Sequence, residues 1–109
     1  MDIKVYHILH KDAVKIRKEV FMEEQGFHDE FDETDETAVH LVLYIDQVPA
    51  ATCRFFPGQT QGEYIVGRIA VEKEFRGNHL GSRILSAAES EIRNIGGNKV
   101  RLHAQQQAK

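Results

Sequence analysis

The sequence contains a single cysteine, and this excludes two kinds of site. Because Cys53 has no second cysteine to pair with, neither an internal disulfide nor a zinc cluster built on cysteine ligands is available. Valine, alanine and phenylalanine residues surround Cys53 in the sequence, so we expect it to fill a strand core rather than to act as a nucleophile.

Long hydrophobic runs, repeats and low-complexity tracts are also missing. No apolar stretch approaches the roughly 20 residues that span a bilayer, so we expect no membrane role. The N-terminus lacks the apolar segment and small-residue cleavage site of an export signal, which makes the cytoplasm the expected location. With 41% apolar and 28% charged residues, the 109-residue chain is predicted to form one soluble domain over residues 1–109.

Charge is unevenly distributed, although the net charge is only −3. Acidic residues dominate residues 23–36, and basic residues outnumber acidic ones from Lys73 onward. This polarity suits an anionic ligand at one end and a cationic one at the other, with a solvated acidic loop as the alternative. Few basic residues and no interleaved aromatics disfavour a nucleic-acid partner. His7 and His10 lack a neighbouring carboxylate cluster, so no metal site is predicted.

The hydrophobic periodicity predicts the element order β-α-β-β-β-α-β. Strands are expected at residues 3–9, 38–45, 48–56, 64–71 and 99–104, and helices at 12–25 and 80–95. Three consecutive strands with short connections should form an antiparallel meander, and the strand after the second helix should run parallel to residues 64–71. The expected fold is therefore α/β (α+β), a mixed and mostly antiparallel sheet flanked by helices.

The most informative stretch leads from the last meander strand into the second helix, through residues 76–82. The first turn of a helix leaves about four N–H groups unpaired, and the helix dipole supports an anion there. Gly77 and Gly81 allow a bulky anion to approach, Arg76 adds a charged donor and Ser82 a hydroxyl. The pattern indicates a diphosphate cradle, with tight packing at the glycines as the alternative. Neither a P-loop nor the G-x-G-x-x-G fingerprint is present.

The run Arg76-Gly77-Asn78-His79-Leu80-Gly81 resembles the Q/R-x-x-G-x-G/A motif of the GNAT superfamily of N-acetyltransferases. His79 stands where that motif has its middle glycine, a change that is tolerable if the residue keeps helical backbone angles. Residues 20–25, the acidic run, residues 38–41 and residues 67–71 are similar to the ElaA-type branch. The resemblance implies a GNAT-like fold and acetyl-CoA as cofactor.

The resemblance also implies roles for individual residues. The strand backbone before the cradle would pair with the pantetheine arm, and the N–H groups of the cradle would hold the pyrophosphate. The implied cofactor-binding residues are Ile69, Ala70, Val71, Arg76, Gly77, Asn78, His79, Leu80, Gly81, Ser82 and Gln105. An amine of a small molecule or peptide would attack the thioester directly, and a backbone N–H would stabilise the oxyanion.

The acceptor amine has to lose a proton before it can attack. An alkylamine with a pKa near 10.4 is protonated at pH 7, and freeing its lone pair costs about 4.6 kcal/mol. A base or a water chain must take the proton. Glu24 is the first candidate, because it ends the first helix beside the acidic run, and His40 and His103 are alternatives. A structural polar role is the competing interpretation for each.

Arg54 and Arg68 stand within otherwise apolar strands, where a charge is seldom buried unpaired. They are candidates for anchoring a carboxylate on the acceptor. The alternative, which we favour, is that they pair with acidic residues of the first helix and loop.

Family members normally continue with a helix, often bearing a tyrosine that protonates the leaving thiolate, and a hairpin. This chain stops at Lys109, before such a residue. We expect either a piece of a longer protein or a wall supplied by a second copy in a homodimer. Two further functions are left open, an acyl-CoA-binding module without catalysis and a structural subunit.

Overall fold

The computed structural model describes residues 1–26 and 31–103 of the chain. Its elements are β1 (Asp2–Tyr6), α1 (Lys11–Arg17) with a π-helical extension (Lys18–Glu24), a 3-10 turn (Glu33–Glu36), β2 (Val39–Ile45), β3 (Val48–Pro57), β4 (Glu63–Val71), a second 3-10 turn (Lys73–Phe75), α2 (Leu80–Asn94) and β5 (Lys99–His103). The predicted order β-α-β-β-β-α-β is confirmed. The first strand ends at Tyr6 rather than at residue 9, and residue 104 lies outside the described ranges.

The five strands form one sheet in the order β1-β2-β3-β4-β5. The first four pair antiparallel and β4 pairs parallel with β5, which confirms the mixed, mostly antiparallel sheet. The β2–β3 turn is made by Asp46 and Gln47, whose φ angles of 48° and 70° are both left-handed. Such a turn matches the right-handed twist of the flanking strands and fixes their register.

Helices cover both faces of the sheet. On one face, α2 buries residues at helical spacing against the core of the sheet, namely Leu80, Ile84, Ala88 and Ile92. On the other face, α1 and its extension bury Ala13, Ile16, Val20 and Phe21 against Val42, Tyr44 and Ala70. No helix within residues 1–26 and 31–103 is long and apolar enough to cross a membrane.

A β-bulge interrupts β4 and determines where its free edge begins. Arg54 pairs with Gly67 whereas Thr52 pairs with Ala70, so β4 carries one residue more than β3 over this interval. Arg68 lies in the bulge with a left-handed φ of 52°. Pairing with β5 runs from Glu63 to Gly67. Within the described ranges, residues 69–71 therefore extend past their parallel partner, and no strand pairs with their outer edge.

Candidate active site

The chain turns sharply between β4 and α2. The Glu72 N–H donates to the Ala50 carbonyl at 2.8 Å, a 3-10 turn follows, and Gly77 (φ 89°) and His79 (φ 59°) are both left-handed. The first backbone bond of α2 runs from the Arg83 N–H to the His79 carbonyl at 3.1 Å. Within the described part of the chain, the N–H groups of residues 77–82 have no hydrogen-bond acceptor, as expected at a helix start.

A depression of about 270 Å³ lies beside these N–H groups. Its lining residues are Val71, Arg76, Gly77, His79, Leu80 and Gly81. A Cβ added at Gly77 would meet nothing within 4 Å, so the left-handed φ is what calls for glycine there. A Cβ at Gly81 would have only the Val71 Cγ2, at 3.9 Å, within 4 Å. Free N–H donors around open space fit the diphosphate of an anionic cofactor.

His79 adopts a backbone conformation that the sequence did not predict. The change from glycine was judged tolerable on the condition of helical backbone angles, but the residue is left-handed and precedes α2 as its N-cap, without a side-chain cap bond. That conformation explains why the motif has a glycine here, because a side chain in this region costs roughly 1–2 kcal/mol. The condition of helical angles is therefore not met, and His79 is strained and exposed at the rim of the depression.

Arg76 and Glu24, predicted for separate roles, are partners of one another. Arg76 Nη1 and Nη2 donate to the two carboxylate oxygens of Glu24, each at 2.6 Å, and Arg76 Nε donates to the Val71 carbonyl at 3.0 Å. The hydrogen bonds from Arg76 lower the pKa of Glu24, and those to Glu24 raise the pKa of Arg76. In this arrangement Glu24 is a weak base, because the pair favours its unprotonated form.

His40, the second candidate base, is fully buried in the sheet. Its Nε2 donates to the Asp35 carbonyl at 2.9 Å, and its Nδ1 has no partner among the described residues. Burial lowers the pKa of His40. An acceptor amine therefore has no direct access to its ring in this structure. His103 is exposed at the end of β5, where its register partner is Gly67.

Arg54 and Arg68 bind acidic side chains of the protein itself. Arg54 Nη1 donates to Asp32 Oδ1 at 2.7 Å and to Asp35 Oδ1 at 2.8 Å, and Arg68 Nη2 lies 3.4 Å from Asp32 Oδ2. Arg17 Nη1 donates to Asp35 Oδ1 at 2.7 Å. Burial tends to raise the pKa of Asp35, but these charged donors outweigh it and lower the pKa. The internal pairing that we favoured for both arginines is what the structure contains.

Arg17 and Glu72 are among the buried charges that were not singled out in the sequence. Arg17 is 1% exposed, and its position continues the apolar stripe of α1, which was the available signal that it needs a partner. Glu72 is 5% exposed, and burial together with the neighbouring Glu19 raises the pKa of Glu72 to about 7. Lys15 Nζ lies 3.7 Å from Glu72 Oε2. The position of Glu72 directly after an apolar strand gave no comparable signal.

The other predicted cofactor residues lie in three places. Ile69, Ala70 and Val71 form the end of β4, with Ala70 buried under α1 and the other two packed against the core beneath α2. Asn78 Nδ2 donates to the Phe75 carbonyl at 3.2 Å and closes the turn. Ser82 is exposed on the first turn of α2. Gln105 lies outside the described residues.

Free N–H groups beside an open strand edge suit a cofactor that carries a diphosphate and an amide-bearing arm. The chain belongs to the Acetyltransferase (GNAT) family, whose model matches residues 3–109. The predicted superfamily is thus confirmed, and the protein is an N-acetyltransferase whose general reaction is acetyl transfer from an acyl-CoA donor.

Two relatives from Bacillus subtilis (strain 168) illustrate the match. BSU40680 is 38% identical over 101 residues, which cover 88% of this chain and 67% of that protein. The uncharacterized N-acetyltransferase YjcF is 33% identical over 100 residues, which cover 90% of this chain and 70% of that protein.

Solved structures share the fold. An acyl-CoA N-acyltransferase from Pseudomonas aeruginosa superposes with a TM-score of 0.78 at 25% identity, covering 93% of this chain and 77% of that one. Escherichia coli ElaA superposes with a TM-score of 0.80 at 21% identity, covering 93% of this chain and 76% of that one. A GNAT acetyltransferase from Brucella melitensis in complex with acetyl-CoA superposes with a TM-score of 0.71 at 17% identity, covering 96% of this chain and 77% of that one.

Proposed function

We propose that the protein transfers an acetyl group directly from acetyl-CoA to a primary amine of a small molecule or peptide. The observation that carries this proposal is the row of unpartnered N–H groups at residues 77–82, next to the outer edge of β4 at residues 69–71, with which no strand pairs in the described ranges. These two features place an anion-binding helix start beside a strand edge that is free to pair.

In the proposed complex, the two features hold different parts of the cofactor. The N–H groups from Gly77 to Ser82 bind the diphosphate, supported by the dipole of α2. Residues 69–71 present backbone donors and acceptors that pair with the amides of the pantetheine arm, as an added strand would. The thioester then lies toward the bulge at Arg68. Gln105 is retained as a predicted contact of the same arm.

The bulge supplies the means of stabilising the transition state. An extra residue in a strand leaves backbone groups without a partner in the ladder. We propose that an N–H from residues 69–71 donates to the carbonyl oxygen as the amine attacks and negative charge develops there. The C–N bond would form and the C–S bond would break. The acceptor's ammonium group would give up two protons, one to the base before attack and one to the leaving thiolate.

The route of the amine proton depends on residues that are engaged in this structure. Glu24 accepts a proton efficiently only when it is released from Arg76. His40 is buried, so it acts through a water chain or after movement of the turn Glu33–Glu36. Glu24 and His40 therefore both remain candidate bases.

Arg54 and Arg68 are also proposed to bind a carboxylate of the acceptor. For this they would have to donate to the acceptor as well as to their aspartate partners.

The acidic run supports a cationic acceptor less strongly than its charge suggests. Three of its carboxylates are paired inside the protein: Asp35 with two arginines, Asp32 with Arg54 and Arg68, and Glu24 with Arg76. The negative charge available to an approaching amine is reduced accordingly. We therefore propose the acceptor class from the reaction, as a primary amine, and not from long-range charge.

Thermal unfolding with acetyl-CoA, followed by thiol release with a panel of amines, tests the proposal. At a hundredfold excess over Kd, acetyl-CoA should stabilise the protein by about 2.7 kcal/mol, a rise in Tm of roughly 10 °C. Gly81→Leu should abolish the rise by filling the depression, whereas Ser86→Leu, on the exposed face of the same helix, should retain it. A Tm rise without turnover on any amine would favour the binding module, and no rise would overturn the proposal.

A further inference from the structure

Arg76 connects the end of the first helical segment to the end of β4. Its guanidinium uses three of its five N–H groups, two on Glu24 and one on the Val71 carbonyl. Glu24 is the last residue of the π-helical extension, and Val71 is the last residue of β4. The Arg76 side chain thus connects the acidic run, through Glu24, to the strand that leads into the cradle.

These contacts occupy groups that the proposed cofactor complex also uses. The Val71 carbonyl belongs to the open edge that would pair with the pantetheine arm. Arg76 itself lines the depression together with Gly77 and Gly81. A diphosphate placed there carries the same sign of charge as Glu24, so it repels the carboxylate and attracts the guanidinium.

We propose that Arg76 exchanges partners when the cofactor binds. Its guanidinium leaves Glu24 and the Val71 carbonyl and donates hydrogen bonds to the diphosphate. The inference rests on the proposed function. Glu24 is then a free carboxylate only while the cofactor is present. The base that deprotonates the acceptor becomes available at the moment when the thioester is in place, which links the two sides of the site.

The solvent exposure of Arg76 and Glu24 permits such an exchange. The side chains of Arg76 and Glu24 are 41% and 35% exposed, so water screens their attraction and fills the place that either one leaves. The Arg54–Asp35 pair differs, because at 3% and 2% exposure its separation would leave charges buried. An exposed fork can change partners without opening the core.

Calorimetric titration of CoA into the full chain tests the exchange in a double-mutant cycle. Glu24→Gln should tighten CoA binding about fivefold, because Arg76 no longer has to give up a charged partner. Arg76→Gln should weaken binding about tenfold. The double variant should bind like Arg76→Gln alone, because Glu24 affects CoA binding only by competing for the guanidinium of Arg76. Glu23→Gln removes the same charge from the exposed neighbour and should change Kd less than twofold.

The possible results separate this inference from the proposed function. If Glu24→Gln leaves CoA affinity unchanged or weakens it while the wild-type protein binds CoA, the exchange is wrong and the cradle stands. Equal weakening by both single variants, with no further loss in the double variant, identifies a fixed clamp and also overturns the exchange. If the wild-type protein does not bind CoA, the proposed function fails and the exchange fails with it.

Discussion

At the residue scale, the clearest sign of strain is the left-handed backbone of His79 at the rim of the depression. A side chain in this conformation costs roughly 1–2 kcal/mol, and glycine adopts it freely. Glycine also has more freedom in the unfolded chain, which offsets part of the gain. His79 is thus a residue whose replacement should help the fold.

We expect His79→Gly to raise stability by about 1 kcal/mol, or roughly 4 °C in Tm. His7→Gly is the matched control, because His7 is exposed and does not have a positive φ. It should give no increase. Differential scanning calorimetry without ligand measures both variants. A fall in Tm for His79→Gly would mean that the imidazole makes a favourable contact that exceeds the strain.

Glu72 gives a second prediction at this scale, one that depends on pH. Burial first and the neighbouring Glu19 second raise the pKa of Glu72 from 4.5 to about 7. The folded protein therefore holds a proton that the unfolded chain has already lost, and stability falls as the pH rises from about 4.5 to 7. Glu72→Gln removes this loss without changing the shape of the side chain.

We expect Glu72→Gln to be more stable than the wild-type protein at pH 8, by about 1–2 kcal/mol, and nearly equal to it at pH 4.5. Urea unfolding at both pH values measures the difference. Glu74→Gln changes an exposed carboxylate nearby and should have a much smaller effect. A pH-independent difference for Glu72→Gln would exclude its titration as the cause.

At the element scale, the turn Glu33–Glu36 is fixed to the sheet by buried charge. Asp35 accepts from Arg17 and Arg54, so one carboxylate joins α1, the turn and β3. Breaking such a pair leaves uncompensated charge in the interior, at a cost of about 3–5 kcal/mol. Arg54 and Arg68 also bind Asp32, which precedes the turn, and this places the turn beside the bulge of β4.

Asp35→Asn should therefore destabilise the protein by about 3 kcal/mol in urea unfolding at pH 7. Its effect should shrink as the pH falls through the lowered pKa of Asp35, since the wild-type protein then loses the same charge. Glu36→Gln, in the same turn but exposed, should stay within about 0.5 kcal/mol of the wild-type protein. Equal costs for the two variants would contradict the role of the buried network.

Element order was predictable because local patterns determine it. The α2 stripe, the turn at Asp46-Gln47 and the glycines after α2 each act over a few residues. The bulge was not predictable, because an extra residue in β4 shows only when β4 is aligned with β3. The same holds for Arg76 and Glu24: each was recognised as a candidate, but their contact joins residues 52 positions apart in the chain.

The predicted cradle came from spacing, and its open N–H groups follow from helix geometry alone. Individual backbone angles were harder to predict. His79 has no sequence signal for a left-handed conformation except the glycine that the motif prefers there. Arg54 and Arg68 were recognised by the rule that strand charges need partners, although the identity of those partners, Asp32 and Asp35, required the three-dimensional structure.

At the scale of the whole molecule, the sheet separates two tasks. The proposed diphosphate site lies at the start of α2, on one face, and the α1 face carries the paired acidic residues. The parallel pair β4–β5 and the bulge lie between them, where the open edge of β4 begins. A cofactor that enters along that edge would present its thioester to both faces at once.

In the proposed complex, the amides of residues 77–82 bind the diphosphate of the cofactor. Titrating CoA into ¹⁵N-labelled protein and following the backbone amide signals measures this directly. We expect large, saturable chemical-shift changes for the amides of Gly77, Gly81 and Ser82, and slower hydrogen exchange at those sites. The amides of the β2–β3 turn should change little. Saturable CoA binding that leaves the amides of Gly77, Gly81 and Ser82 unshifted would contradict this binding mode.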